Sequence, residues 1–344
     1  MSALLTIAIP TYNRAELLRA QLERLQPQLN DRVVCWIYDN CSSDHTAAVA
    51  REFASDRIFY YRAAVNGGMC RNFLRCFEEC QTEWLWVLSD DDPASATAIA
   101  DLLAVLEGQT ADFIHTSMRG PAYAANTEVA DVKTLIQLAG FNMIYWLSSG
   151  IYRTKSFHPY LRIFNESLST WCPQGIALLA LLESGNGKVL LSSVNLIGAS
   201  GGKQGWSTLE MLIRASMTPE YLRVPEHRQL LAQVTYQESF MACMLVGLRE
   251  ARQPVEIQRW KRIFRQAQAN LRAYQAHGPY AYLVWNWYRA GRRKQAWRHF
   301  FSYTLLLILW VTPNGFFQRV ASWMPLSDYA REEFQAREKF DARD

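Results

Sequence analysis

The chain has no paired Cys-x-x-Cys motif, and its seven cysteines (Cys35, Cys41, Cys70, Cys76, Cys80, Cys172 and Cys243) form an odd set. That argues against a disulfide framework or a cysteine-rich zinc module. Cys76 and Cys80 lie one helical turn apart in an apolar helix and read as packing residues. Neither GxGxxG nor GxxxxGKS/T occurs, which excludes the usual dinucleotide turn and the usual phosphate loop. The apolar run at 303–312 is ten residues, about half of what a bilayer crossing needs. A net charge of +4 is too small to mark a nucleic-acid binder, and no internal repeat is evident. No charged-then-apolar leader is seen before the strand-like residues 4–9, so a reducing cytosol is the expected compartment.

What remains is a globular composition, half hydrophobic and a fifth charged, in 344 residues. That is enough for one large domain or two ordinary ones. Residues 3–117 alternate strand and helix patterns. Strands are expected at 4–9, 32–38, 57–61, 84–88 and 112–117, with helices at 14–25, 46–53, 69–79 and 96–106. Alternation at this spacing predicts an α/β, doubly wound, mostly parallel sheet with right-handed crossovers. The loops after the strands are polar and would gather along one sheet edge, where open α/β sheets bind ligands.

One of these loops carries Asp90, Asp91 and Asp92 in a row, closed by Pro93. Two like charges about 4 Å apart cost roughly 4 kcal/mol at an effective dielectric near 20. A hard divalent cation carrying a phosphate-bearing ligand would relieve that repulsion. The plainer reading is an acidic turn that caps the next helix through Asp92 or Ser95.

From 118 to 205 the pattern loosens, with strand pieces at 144–147 and 150–153 around Ser148 and Ser149. A helix is expected at 171–182, with Pro173 tolerated near its start, and a strand at 188–197. The glycine-rich run 198–206 reads either as a mobile lid presenting Lys203 and Trp206 or as a linker. Beyond it, helices are expected at 207–217, 220–250, 254–275 and 280–297. Between 251 and 300 eleven Lys/Arg face one acid, Glu256, with Trp260, Trp285, Trp287, Trp297, Phe300 and Phe301 interleaved. This fits an interfacial contact with anionic membrane, or equally a solvated basic face over core helices. Residues 328–344 alternate in charge and read as a solvated helix.

Four blocks in order carry a resemblance: Ile9-Pro10-Thr11-Tyr12-Asn13-Arg14, Asp39-Asn40-Cys41-Ser42-Ser43-Asp44, Asn66-Gly67-Gly68 with Arg71-Asn72, and Ser89-Asp90-Asp91-Asp92. Over residues 3–117 the chain resembles the family 2 glycosyltransferases of the GT-A fold, in the abequosyltransferase-like branch of bacterial O-antigen and capsule synthesis. The likeness weakens to about 205 and is negligible beyond. It implies a nucleotide-sugar-binding catalytic domain at 1–205 and a helical extension at 206–344, possible site of membrane contact. It implies a sugar transfer, inverting, from a nucleotide-sugar to a glycan hydroxyl, with a polyprenyl-diphosphate-linked glycan as acceptor at the inner face of the cytoplasmic membrane.

The resemblance also implies roles. Pro10, Thr11, Tyr12 and Asp39 would hold the nucleobase, a carboxylate being able to accept a pyrimidine N3–H. Asn13, Asn40, Asn66 and Asn72 lie in the same donor-binding blocks. Asp90 would contact ribose or metal, Asp91 would lie beside the donor, and Asp92 would hold Mg²⁺ or Mn²⁺ against the diphosphate. Arg14 and Arg71 would add positive charge for the departing nucleotide, although Arg14 also reads as a surface ion pair. Gly67 and Gly68 would shape the turn. The family's acceptor-side base sits in a Glu-Asp pair, and here the corresponding Thr170-Trp171-Cys172-Pro173-Gln174 has no acid. Glu166 is the substitute base, with His158 and Asp131 behind it. A non-catalytic assembly or binding subunit with a degenerate transferase domain is the second reading. A sugar-nucleotide pyrophosphorylase would want a glycine-rich first turn that Pro10-Thr11-Tyr12-Asn13 does not supply.

Overall fold

The computed structural model describes residues 3–117, 123–140, 146–198, 208–235 and 254–273. Two compact units divide the chain, Met1–Gly202 and Lys203–Asp344. In the first, β1 (Leu5–Thr11) is buried at all seven positions. Its near-continuous apolar run suits a strand covered on both faces. α1 (Ala15–Leu25) buries Leu18, Leu22 and Leu25 against the sheet. Each such side chain contributes about 1.5–3 kcal/mol of burial.

β2 (Val33–Asp39), α2 (Thr46–Glu52), β3 (Ile58–Arg62), α3 (Met69–Glu78), β4 (Trp84–Val87), α4 (Ala98–Leu106) and β5 (Phe113–Ser117) follow in the expected alternation. Then come β6 (Thr127–Val129), α5 (Val132–Ala139), β7 (Gly150–Arg153), α6 (Thr154–Phe157), α7 (Leu161–Glu166), α8 (Pro173–Glu183) and β8 (Val189–Asn195). One eight-stranded sheet has the order β3-β2-β1-β4-β7-β5-β8-β6. Pairs β1–β2, β2–β3, β1–β4 and β5–β8 are parallel, while β7 runs antiparallel to both β4 and β5. The fold is the mixed, mostly parallel α/β sheet that the sequence predicts.

The chain order reverses at β1, which has β2 on one side and β4 on the other. A reversal of this kind opens a crevice at the C-terminal strand ends. Pro10 marks the opening. Thr11 C=O accepts from Asn40 N–H on the β2 side, and Ala8 C=O accepts from Leu88 N–H on the β4 side. Alternation therefore turns the Pro10 nitrogen toward β4, whose pairing with β1 has already ended at Val87. A residue with no N–H costs nothing there.

Two expectations are corrected. Leu147 does not continue a strand but enters a 3-10 turn, Leu147–Ser149, because its neighbours' carbonyls bond outward. Ser148 C=O accepts from the Trp86 indole and Ser149 C=O from the Thr116 hydroxyl. Residues 144–145 lie outside the described residues. The helix after the acids begins only at Ala98, and its N-cap Thr97 makes no side-chain cap bond. Pro93–Ser95 is drawn out to pair with the chain after β8: Ser95 N–H donates to Leu196 C=O at 2.9 Å and Gly198 N–H to Pro93 C=O at 2.8 Å. Neither Asp92 nor Ser95 caps the helix.

The second unit is helical where described, with α9 (Thr208–Ala215), α10 (Pro225–Val234) and α11 (Pro254–Ala273). α11 buries Ile257, Trp260, Ile263, Phe264 and Ala267 on one face, and Trp260 stacks on Phe264. Arg259, Arg262 and Arg265 lie on its exposed face. No helix among the described residues is long and apolar enough to cross a membrane. The expected helix at 280–297, most of the interleaved aromatics, the run at 303–312 and the terminal helix at 328–344 lie outside the described residues.

Candidate active site

Three loops leave the strands at the crevice and are stitched to one another. Asn13 adopts φ 53°, a left-handed geometry that asparagine tolerates better than most residues. Its N–H donates to Ser42 Oγ at 2.9 Å and its Oδ1 accepts from Ser43 N–H at 2.8 Å. Asn40 donates to Asn66 Oδ1 at 2.7 Å and accepts from Gly67 N–H at 3.1 Å. Gly68, at φ 85°, needs glycine for the turn into α3. Asn72 is buried and donates to Tyr38 C=O at 2.7 Å. These asparagines hold the loops in shape. Tyr12, 43% exposed, projects from the same edge.

Asp39 ends β2 fully buried. Its Oδ1 accepts from Ser42 N–H at 2.8 Å and its Oδ2 from Tyr60 O–H at 2.7 Å. Burial first, and then this carboxylate, push the Tyr60 hydroxyl pKa upward. Tyr60 is a partner that the sequence motifs do not reveal. Its signal was the β3 register opposite Ile37, which aims its ring along the face on which Asp39 ends.

The acid triplet follows β4 at the same sheet edge, beside the end of β1. Asp90 is buried, and it accepts from Thr11 Oγ1 at 2.7 Å across the gap between β1 and β4 and from Arg14 Nη1 at 2.8 Å. The same Arg14 nitrogen reaches Asp91 Oδ2 at 2.9 Å. Burial raises the Asp90 pKa, while the Arg14 charge and the Thr11 hydrogen bond act to lower it. Burial alone would lower Arg14, yet Asp90 and Asp91 hold it above its ordinary value. Arg14 does form ion pairs, but inside the acid corner rather than on an open surface.

Asp92 is also buried, and its Oδ2 accepts from the Ser148 hydroxyl at 2.7 Å. Gln21, a buried polar residue on α1, clamps the loop from below: its Nε2 donates to Asp92 C=O at 2.8 Å and its Oε1 accepts from Ala94 N–H at 3.1 Å. Ser148 and Gln21 were not legible as site residues, since both reach the acids across more than fifty positions of sequence.

Other expected residues lie apart from this constellation. Arg71 shares its guanidinium with Glu78 on α3 at 3.1 Å, both side chains partly exposed. Glu166, in the last turn of α7, is ion-paired with Arg162 one turn earlier at 2.9 Å. Asp131 caps α5 by accepting from Thr134 N–H, and His158 is exposed in a 3-10 turn. Trp171 turns into α8 at φ 65°. Lys203 and Trp206 lie outside the described residues.

Whether the corner suits a divalent ion can be tested on its donors. All are hard oxygens, as Mg²⁺ and Mn²⁺ prefer. Among the described residues, however, no three His, Cys, Asp or Glu side chains converge as a cage, because Asp90 and Asp91 are turned to Arg14. The set therefore fits an ion held by Asp92 and completed by a ligand's phosphates and water, the usual manner for Mg²⁺. Asp92 bonded to a serine hydroxyl is the arrangement that orients a ligating carboxylate.

Residues 6–154 match the model for glycosyl transferase family 2. The abequosyltransferase RfbV of Salmonella typhimurium (strain LT2) is 33% identical over 111 residues, covering 31% of this chain and 33% of that protein. The match thus spans a third of the curated relative. The crystal structure of Staphylococcus aureus TarS 1-349 in complex with UDP-GlcNAc is similar at a TM-score of 0.60, with 14% identity, over 87% of this chain and 91% of that one. The mannosyltransferase PcManGT from Pyrobaculum calidifontis, in complex with GDP-Man and Mn²⁺, is similar at a TM-score of 0.51, with 12% identity, over 86% and 82%. The match to glycosyl transferase family 2 over residues 6–154 runs through all four motif blocks, which gather at one edge of a GT-A type sheet.

Proposed function

We propose that the protein transfers a sugar from a nucleotide-sugar donor to a hydroxyl of a glycan, with inversion. The observation that carries this is the buried acid corner at the β1/β4 crevice of a family 2 domain, where Thr11, Arg14, Asp90, Asp91 and Asp92 meet. Catalysis belongs to the unit spanning about 1–205, with 206–344 as its helical extension.

Three carboxylates against one guanidinium leave a net double negative charge when all are ionised, which a divalent cation would balance. Asp92, the last acid of the triplet, is the proposed holder of Mg²⁺ or Mn²⁺, with Ser148 orienting its carboxylate. When bound, the ion supplies Lewis-acid neutralisation of the departing diphosphate. Tyr12 offers an exposed ring for base stacking beside Pro10. Asp39, Asn13, Asn40, Asn66 and Asn72 fix the loops on which the nucleoside rests. Arg14 bridges Asp90 and Asp91 and holds the two carboxylates aligned. Arg71 would have to release Glu78 before its charge could reach the donor.

The acceptor hydroxyl needs a base. Glu166 is the carboxylate the sequence offers, and its pairing with Arg162 resembles an ordinary solvated helix face. Glu166→Gln decides its role: as the base it should lower turnover about a hundredfold with donor affinity unchanged, and an unchanged rate eliminates it. A lipid-linked glycan at the cytoplasmic membrane face is the proposed acceptor. The exposed Arg259, Arg262 and Arg265 support contact with anionic lipid, which salt should weaken.

The missing acid at 170–174 favours a second reading, a non-catalytic assembly subunit. Incubation with UDP-, GDP-, CDP- and dTDP-sugars plus Mn²⁺, with water as the fallback acceptor, separates the two. The transferase releases nucleoside diphosphate from one of the four donor classes. Release from none of them at any Mn²⁺ concentration would leave the assembly role.

A further inference from the structure

The acid corner does not end at Asp92. Ser148 Oγ accepts from Ser89 N–H at 2.9 Å while donating to Asp92 Oδ2, so its single proton is committed to the carboxylate. The next residue, Ser149, is fully buried, and its hydroxyl lies 2.9 Å from Trp146 C=O and 3.0 Å from His115 Nε2. On the other side of the ring, His115 Nδ1 lies 2.7 Å from the Tyr123 hydroxyl. His115 sits on β5, directly opposite Gly150 of β7.

Proton counting orders this chain. A carbonyl has no hydrogen to give, so the Ser149 proton goes to Trp146. Ser149 must then accept from His115, which puts the imidazole hydrogen on Nε2. Nδ1 is left as an acceptor for Tyr123 O–H. Every bond runs one way: Tyr123 to His115 to Ser149 to Trp146. Burial holds the imidazole neutral, its pKa pushed down to about 3, so the ring presents one donor and one acceptor throughout the physiological range. The ladder fixes Ser149 from behind while Trp86 and Thr116 grip the Ser148 and Ser149 carbonyls. The turn that aims the Ser148 hydroxyl at Asp92 is thereby held from three directions.

We infer that His115, as the Nε2–H tautomer, is a positioning residue: through Ser149 it sets the Ser148 hydroxyl, and so the orientation in which Asp92 meets a cation-bound diphosphate. This rests on the donor-site reading of Asp92 given above and extends it to residues outside the four motif blocks. The hydrogen bonds of His115 go to Ser149 and Tyr123, so it acts on Asp92 only through the turn. Partners of this kind cost about 10- to 100-fold in metal affinity when removed from ligating carboxylates.

The test uses the full chain, with Mn²⁺ titrated in the presence of whichever of UDP, GDP, CDP or dTDP most raises the native melting temperature. His115→Phe keeps a ring and removes the donor. His115→Gln returns an N–H near the Nε2 position. His115→Phe should raise the Mn²⁺ midpoint about tenfold, and His115→Gln should recover most of that loss. Ser148→Ala, which removes the hydroxyl bonded to Asp92, should lose at least as much as His115→Phe. An unchanged midpoint in His115→Phe overturns the inference. So does an equal loss in His115→Phe and His115→Gln, which would assign the effect to ring packing. Nitrogen-15 NMR of the imidazole supplies a readout free of any ligand: Nε2–H at pH 7 is expected, and Nδ1–H overturns the inference. No response of the native protein to any of the four nucleotides is a different result, which would overturn the donor-site reading and the inference with it.

Discussion

With Arg14 replaced by methionine, Asp90 would keep its burial and lose its counter-ion, so its pKa, already raised by burial, would rise further. An acid with a raised folded-state pKa costs stability above the unfolded value and costs nothing when protonated. Arg14→Met should therefore destabilise by about 1–3 kcal/mol at neutral pH, below the range for a fully buried pair because Arg14 is partly exposed. The deficit should shrink as pH falls toward 4, and urea denaturation across that range measures it. His115 has the opposite sign. Its folded pKa near 3 lies below the ordinary histidine value, so unfolded chains take up a proton first and stability falls between about pH 6.5 and 3. His115→Gln, which does not titrate, should flatten that part of the profile; an identical acid limb in both proteins would contradict the buried neutral ring. Thr11, Asp39, Asp90 and Asp92 were legible because each is a polar residue at or just beyond a strand end, where an apolar run stops. Ser148, Ser149 and His115 were not, because nothing local distinguishes a buried serine that orients a carboxylate from one that ends a turn.

At the scale of elements, α1 does two jobs. Its Leu18, Leu22 and Leu25 cover the sheet, and Gln21 between them fastens the acid loop through Asp92 C=O and Ala94 N–H. Gln21→Leu would bury these two backbone groups without partners, at about 1–3 kcal/mol for each group left unsatisfied. Thermal unfolding should show the loss, and a stability equal to the native protein's would remove the clamp. Hydrophobic periodicity located α1 to within a residue, yet it treats Gln21 as an interruption of the apolar stripe. The same limit applies to the turn at Leu147–Ser149. Its residues look strand-like because Ile144–Leu147 is apolar apart from its aromatics' polar atoms, and only the bonds from Trp86 and Thr116 across the sheet decide for a turn. α4 starts later than its propensity suggests for a similar reason: Pro93–Ser95 has a tertiary partner in Leu196–Gly198.

Over the whole molecule, alternation of strand and helix to residue 117 was enough to anticipate the parallel half of the sheet and the edge at which its loops collect. The second half was less legible, since β7 runs against its neighbours and β6 and β8 pair across long connections. The helical unit gives its own prediction. If Arg259, Arg262 and Arg265 meet anionic lipid, the full chain should co-sediment with phosphatidylglycerol vesicles at low salt and be released as salt rises. Replacing the three with glutamine should weaken that binding without lowering donor hydrolysis. The central claim, that Asp92 in this corner receives a cation-bound nucleoside diphosphate, is tested most directly by thermal shift of the native chain and Asp92→Asn. Each would be measured with UDP, GDP, CDP and dTDP, with and without Mn²⁺. The account predicts a rise in melting temperature for one nucleotide in the native protein that requires Mn²⁺ and disappears in Asp92→Asn. A native response that is independent of Mn²⁺, or that survives in Asp92→Asn, would contradict it.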